Sequence, residues 1–158
     1  MDYTPVLLIF VFHVLTGTGA PLEEEQIKSK VEEYTNLLIV RLSQNFQTPP
    51  MQTLRPPMKE LGGLSSIVAV LEGYNDLISD SLENVTQIKT ELSILTEYIH
   101  QWSVEHCNEQ LTKPPEPEAL RSLQKLKRFV HTVGIEALMR VKEYLNLLRR
   151  NLDHLDIC

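Results

Sequence analysis

The chain has 158 residues, of which 42% are hydrophobic and 23% charged, and its formal net charge is −6. This length suits one domain with a buried core, and the apolar fraction is too high for a disordered chain. Proteins that bind nucleic acid present clustered Lys and Arg, so the acidic balance argues against DNA or RNA as a partner.

Residues 1–20 have the features of a secretory signal peptide. An apolar stretch from Val6 to Leu15 is followed by small residues that end at Ala20. The stretch is shorter than the ~20 apolar residues of a membrane-spanning helix, although the basic residues that usually precede a signal core are missing. We expect cleavage after Ala20 and a secreted, extracellular product, residues 21–158, with no further membrane insertion.

Both cysteines lie in the expected mature chain, Cys107 towards its middle and Cys158 at its last residue. An even pair in an oxidising compartment favours one disulfide over two free thiols. In the chain-entropy model, closing a loop of this length stabilises the fold by roughly 4 kcal/mol. Two cysteines without a spaced histidine pair do not form a metal site, so no metal is expected.

Two proline clusters divide the mature chain into three proline-free segments. Proline breaks helix interiors, so the clusters are predicted to be linkers. They consist of Pro49, Pro50, Pro56 and Pro57, and of Pro114, Pro115 and Pro117.

Apolar residues recur at spacings of three and four in these segments, which predicts four helices, A to D, and no strands. Helix A is expected over roughly 22–46. The predicted core stripes are Ile27, Val31, Tyr34, Leu38, Leu42 and Phe46 in A; Leu64, Ile67, Leu71, Tyr74 and Ile78 in B; Val85, Ile88, Leu92, Leu95, Ile99 and Trp102 in C; and Leu126, Val130, Val133, Ala137, Val141, Tyr144, Leu148, Leu152 and Leu155 in D.

Two local signals refine the helix boundaries. Asp80 with Glu83 resembles a capping box and predicts that helix C starts there. Gly134 interrupts the stripe of helix D and predicts a kink or break, with 118–130 as a separate short helix.

Connection lengths predict the topology. The A–B connection (47–63) and the C–D connection (103–118) are long enough to run the length of a helix. The B–C connection, at about two or three residues, makes those helices antiparallel neighbours. Long, short, long connections favour an up-up-down-down four-helix bundle of the long-chain cytokine type, with two crossover loops and one disulfide.

The sequence contains no motif of an enzyme. Nucleophile-elbow, phosphate-loop and zinc-protease patterns are absent, and the four mature-chain histidines have no metal-ligand spacing. No catalytic activity and no cofactor are therefore expected. Asn84-Val85-Thr86 matches the acceptor motif for N-glycosylation, although it lies inside predicted helix C, so Asn84 is either a glycan site or an unused match.

A second stripe runs along helix C beside the core stripe. It consists of Gln87, Glu91, Ile94 and Tyr98. Apolar residues away from the core can mark a partner surface. A wide bundle core would explain the same pattern, and both interpretations stay open.

The residues also match a known family. Helix C carries Asn84-Val85, Gln87-Ile88, Glu91-Leu92, Leu95 and His100; helix B carries Ser66-Ile67-Val68-Ala69, Leu71-Glu72 and Leu77-Ile78-Ser79-Asp80; the C-terminal region carries Ala137-Leu138-Met139-Arg140, Asn151-Leu152-Asp153 and a final Cys158. In this combination the chain resembles the leptin family across its whole mature length, and bony-fish leptins more closely than mammalian ones.

The resemblance implies a hormone of energy balance and appetite, monomeric when free, that binds and activates a class I cytokine receptor, the leptin receptor. It implies a main receptor face on helices A and C, made of Arg41, Gln87, Ile94, Glu97 and Tyr98. It also implies an activation face that is formed by the start of helix D, at Thr132, and by the A–B connection, and a disulfide between Cys107 and Cys158.

A secreted helical carrier for lipid or another apolar ligand is the alternative. A carrier of this kind presents amphipathic helices with basic flanks. The acidic, disulfide-closed chain favours the hormone.

Overall fold

The computed structural model describes residues 23–46, 61–107 and 116–155, which form helices and their connections and contain no strand. The predicted all-α class is confirmed for these residues. The expected signal peptide and Cys158 lie outside them. The helices are α1 (Glu24–Asn45), α2 (Leu64–Leu77), α3 (Thr86–His106), α4 (Glu118–Gln124) and α5 (Val130–Asn151), followed by a 3₁₀ turn (Leu152–His154).

Helix α1 matches predicted helix A to within two residues at each end. The backbone N–H of Glu23 donates to Gln26 Oε1 at 3.2 Å, which satisfies one of the donors left open at a helix start. Glu24 and Glu25 lie in the first turn, where carboxylates interact favourably with the helix dipole. These local signals explain why the periodicity sufficed here.

Helices α1 and α3 pack side by side in opposite directions. Arg41, near the end of α1, is paired with Glu91, near the start of α3. At the other end, His106 Nε2 lies 3.1 Å from Glu24 Oε2. Contacts at both ends establish that this pair is antiparallel.

Helix α5 runs antiparallel to both α1 and α2, which it contacts. Lys28, in the first turns of α1, binds Asp153 just after α5 at 2.7 Å. The hydroxyl of Tyr144, in the second half of α5, donates to the carbonyl of Leu61, just before α2, at 3.3 Å. Since α2 also packs antiparallel on α3 through Asn75 and Ser93, which are 3.0 Å apart, each neighbouring pair of long helices is antiparallel.

The core lies between the four long helices and contains most of the predicted stripes. Every stripe residue of predicted helices B and C is buried, while Tyr34 and Phe46 of α1 are only partly covered. Helix α2 is buried on nearly all sides, because Val68, Ala69 and Val70 are also covered. Helices α3, α4 and α5 cover it.

The predicted start of helix C at Asp80 is wrong. Helix α3 begins at Thr86 after Val85, and the connection from α2 runs from Ile78 to Val85, longer than predicted. Asp80 forms an ion pair with Lys89 at 3.1 Å. The physical reason is burial: Ile78, Leu82 and Val85 are core residues, so the connection packs into the bundle instead of starting a helix.

The break predicted near Gly134 lies earlier in the chain, because α5 continues through Gly134 itself. The interruption lies at 125–129, and the short helix expected before it is present as α4. Leu126 and Val130, assigned to the core stripe, are 49% and 48% exposed. Gly134 serves packing: a Cβ there would lie 2.6 Å from Leu82 Cδ1, so the glycine makes room for Leu82.

Candidate functional site

The exposed side of the α1–α3 pair, called the α1/α3 face here, is organised around one buried carboxylate. Glu91 is 6% exposed. Arg41 Nε lies 2.8 Å from its Oε1 and 2.7 Å from its Oε2, and Gln87 Nε2 donates to Oε1 at 3.2 Å. A buried carboxylate is costly without an opposite charge, so this network fixes the guanidinium of Arg41 on the face.

Two tyrosines continue the face towards the other end of α3. The rings of Tyr34 and Tyr98 have centroids 5.8 Å apart and are tilted by 33°. Both side chains are partly buried and pack on the edge of the core. Tilted aromatic pairs at this separation attract one another beyond the area they bury, so Tyr98 is held in place with part of its ring accessible.

The residues in the second stripe of helix C, which could belong to a partner surface or to a wide core, differ in burial. Glu91 is buried, Ile94 and Tyr98 are half-buried, and Gln87 is exposed. The core interpretation therefore holds for Glu91, while the other three remain accessible. Glu97, one residue from Tyr98, is exposed as well.

Thr132 lies on a different helix from the residues of this face. It is exposed in the first turn of α5, a helix that packs on α1 and α2. Its neighbours Phe129 and Val130 are 51% and 48% exposed. The sequence pattern did not predict this apolar surface, because Val130 continues the spacing of the core stripe and was therefore expected to be buried.

Tyr34 and Glu91 were not among the receptor contacts that the resemblance implied, yet they contact residues that were: Tyr34 packs on Tyr98, and Glu91 binds Arg41 and Gln87. The spacing of four between Gln87 and Glu91 was visible in the sequence and is that of side-chain pairs on one helix face. No signal in the sequence linked Arg41 to Glu91, because they lie on different helices.

Burial is the main cause of the raised pKa values of two groups in the described residues, Tyr144 and Glu143. Burial raises the pKa of Tyr144 far above its usual value, which keeps the hydroxyl a donor to Leu61. Burial, and then the nearby Glu136, raise the pKa of Glu143. Within 23–46, 61–107 and 116–155, no cluster of three or more His, Cys, Asp or Glu side chains is placed to hold a metal ion.

Cys107 ends α3 and is buried. It is not a free thiol.

In the part of the chain that the structure describes, no helix combines the length and hydropathy needed to cross a bilayer.

Comparison with known proteins identifies the family. The sequence model of the leptin family matches residues 24–158. Leptin of Tetraodon nigroviridis is 40% identical over 164 aligned positions, covering 100% of both chains. Leptin of Takifugu rubripes is 40% identical over 144, covering 91% of this chain and 88% of its own. The chain belongs to the leptin family.

Membership of the leptin family confirms the resemblance seen in the sequence. This leptin-family chain is a cytokine-like hormone of energy balance and not an enzyme. Receptor binding follows from the family.

Proposed function

We propose that this chain binds the ectodomain of a class I cytokine receptor, the leptin receptor, through the α1/α3 face. The observation that carries the proposal is the geometry of this face: Tyr98 is held against Tyr34 with its ring half-accessible. Aromatic side chains and Arg supply much of the binding energy at protein interfaces. Groups that are already fixed lose less entropy on binding.

Arg41 has a defined role in this proposal. Its Nε is used by Glu91, which leaves its terminal nitrogens to form charge-assisted hydrogen bonds with a receptor carboxylate. Gln87, Ile94 and Glu97 complete the face.

The proposed fold is an up-up-down-down bundle closed by a disulfide between Cys107 and Cys158. The antiparallel packing of α1 and α2 against α3 and α5 supports the topology. The buried, non-free Cys107 supports the disulfide. Mass spectrometry of peptides from the non-reduced protein should give one cross-linked species that contains both cysteines, and two separate peptides would contradict the pairing.

The proposed hormone is secreted after removal of residues 1–20 and circulates as a monomer. Its secreted form should begin at Pro21 in N-terminal sequencing. A product that keeps Met1 would contradict the signal peptide.

Truncation of Tyr98 tests the main proposal. Tyr98→Ala should weaken binding to an immobilised receptor ectodomain by about 2 kcal/mol, or roughly thirtyfold. The unfolding midpoint should fall only slightly, because the ring is partly exposed. Tyr98→Phe keeps the ring, and His100→Ala changes an exposed residue on another side of α3; both should bind normally.

Two outcomes would overturn the assignment of Tyr98. If Tyr98→Ala greatly lowered the unfolding midpoint while the folded fraction kept its affinity for the receptor, Tyr98 would be a core residue only. Absence of receptor binding by the unmodified protein, together with saturable uptake of a fluorescent fatty acid, would instead favour the apolar-ligand carrier.

We further propose that Thr132 belongs to a second surface, which acts in receptor activation. The exposed Phe129 and Val130 beside it support this, because contiguous exposed apolar groups are typical of partner surfaces. Phe129→Ala should retain affinity for the isolated ectodomain and reduce signalling in receptor-expressing cells. Equal signalling by the variant and the unmodified protein would remove Phe129 from this surface.

A further inference from the structure

The connection between α2 and α3 holds the only Asn-x-Ser/Thr motif of the chain at its surface. Asn84 is exposed and has φ 63°, and it lies just before Val85, the residue that precedes α3. Leu82 and Val85 on either side of it are buried. Asn84 therefore lies outside the helix, in a turn that its buried neighbours hold in place, and its side chain is exposed to solvent.

The backbone conformation alone accounts for an asparagine at this position, since Asn adopts positive φ more readily than other residues with a side chain. It does not account for the threonine two residues later. Thr86 is exposed, and its carbonyl accepts the hydroxyl of Thr90 at 2.9 Å. The Thr86 hydroxyl itself completes the acceptor motif.

We propose that Asn84 carries one N-linked oligosaccharide. The proposal depends on the secretion proposed above, because the modification takes place in the secretory pathway. The donor is a lipid-linked oligosaccharyl diphosphate. Asn84 Nδ2 bonds to C1 of the first sugar as the C1–O bond breaks; the lipid diphosphate leaves with the bonding electron pair, and Nδ2 loses one proton.

The fold accommodates a glycan at this position. Asn84 projects from the end of the bundle where α2 ends and α3 begins, so no core side chain is displaced. Tyr98 lies about 18 Å further along α3, at ~1.5 Å per residue from Thr86. The sugar therefore borders Gln87 at one end of the α1/α3 face and leaves the Tyr98 end open to a receptor.

The experiment is expression of the full chain in a vertebrate cell line, followed by intact-mass measurement before and after peptide N-glycosidase. We expect the loss of one oligosaccharide mass and conversion of Asn84 to Asp, since the enzyme cleaves the amide bond to the sugar. Thr86→Ala should abolish the modification while keeping Asn84, and Thr86→Ser should retain it.

Asn84→Gly separates loss of the glycan from loss of folding, since glycine accepts positive φ without strain. This variant should be secreted, folded and free of sugar. A secreted, unmodified wild-type chain would overturn the proposal even if it bound the receptor normally.

If the natural leader failed to direct secretion, the same chain with residues 1–20 replaced by the leader of an established secreted protein would decide the point. Modification at Asn84 in that form would support the site and leave only the natural leader in doubt. A secreted but unmodified product would overturn the site.

Discussion

Two interfaces of the bundle differ in what they contain. Between α1 and α3 the contacts include a buried ion pair, Arg41 with Glu91, and a half-exposed aromatic pair, Tyr34 with Tyr98. On the other side, Leu120 of α4 fits against Gly73 of α2, and Leu82 of the α2–α3 connection fits against Gly134 of α5. A Cβ on Gly73 would lie within 3.3 Å of three Leu120 side-chain atoms.

The difference separates two tasks within one fold. Apolar contacts around α2 are specific in shape and exclude water, so they stabilise the bundle. The α1–α3 interface keeps charged and aromatic groups partly accessible, although a dry interface would be at least as stable. Accessible groups held in fixed positions are what a binding surface requires, which supports the proposed receptor face on α1 and α3.

The largest effect should come from the apolar side. Leu120→Ala removes a fully buried side chain that anchors α4 on Gly73, and it should lower the free energy of unfolding by about 2–5 kcal/mol. Leu126→Ala, which truncates a half-exposed leucine just after the same helix, should change it by less than about 0.5 kcal/mol. Urea unfolding of both variants checks the comparison, and equal losses would contradict it.

A smaller loss of stability is expected when the ion pair between Arg41 and Glu91 is broken. Arg41→Ala leaves the carboxylate of Glu91 buried without its cation, which should cost about 1–3 kcal/mol of stability. Adding Glu91→Gln removes that charge and should restore most of the loss. Guanidinium unfolding of the single and double variants measures the coupling. Additive losses would show that Arg41 does not compensate the charge of Glu91.

Gly134→Ala sets two effects against each other. Alanine favours a helix interior by about 1 kcal/mol over glycine, but its Cβ would clash with Leu82, and overpacking costs roughly 1–3 kcal/mol. We expect modest net destabilisation in the natural background and stabilisation when Leu82 is shortened to Ala. Thermal unfolding of this double-mutant cycle decides, and the same sign in both backgrounds would contradict the packing role of Gly134.

The smallest effect concerns the exposed pair between Lys28 and Asp153. The hydrogen bond from Lys28 lowers the pKa of Asp153 below its usual value of 3.8. Its stabilising contribution is therefore present above that pH and is lost as the pH falls through the lowered pKa. Asp153→Asn should lower the midpoint slightly at pH 7 and match the unmodified protein in strong acid; solvent screening keeps the difference small. A pH series of melting curves measures it.

Periodicity was sufficient wherever a helix buries one continuous stripe. Helix α1 and the core stripes of α2 and α3 could be predicted from spacing alone. It failed where tertiary packing decides the outcome. No proline or glycine marks the interruption at 125–129, and Leu126 continues the stripe spacing although it faces solvent.

The candidate site likewise contains features that the sequence could predict and features that depend on tertiary packing. Exposure of Glu97 follows from its position on α3, opposite to the buried stripe, whereas Gln87 lies at the edge of that stripe and is also exposed. The pairing of Arg41 with Glu91 joins residues 50 positions apart in the chain, so it depends on how α1 docks against α3. Sequence patterns describe one helix at a time and contain no information about that docking.

The contact of Leu82 with Gly134 has a consequence for the two proposed receptor surfaces. Leu82 belongs to the segment that leads into α3, while Gly134 is two residues from Thr132 on α5. The contact braces the start of the helix that carries one proposed receptor surface against the start of the helix that carries the other. In the proposed receptor complex, a bundle braced in this way would fix the distance and angle between the receptor segments that contact the two surfaces.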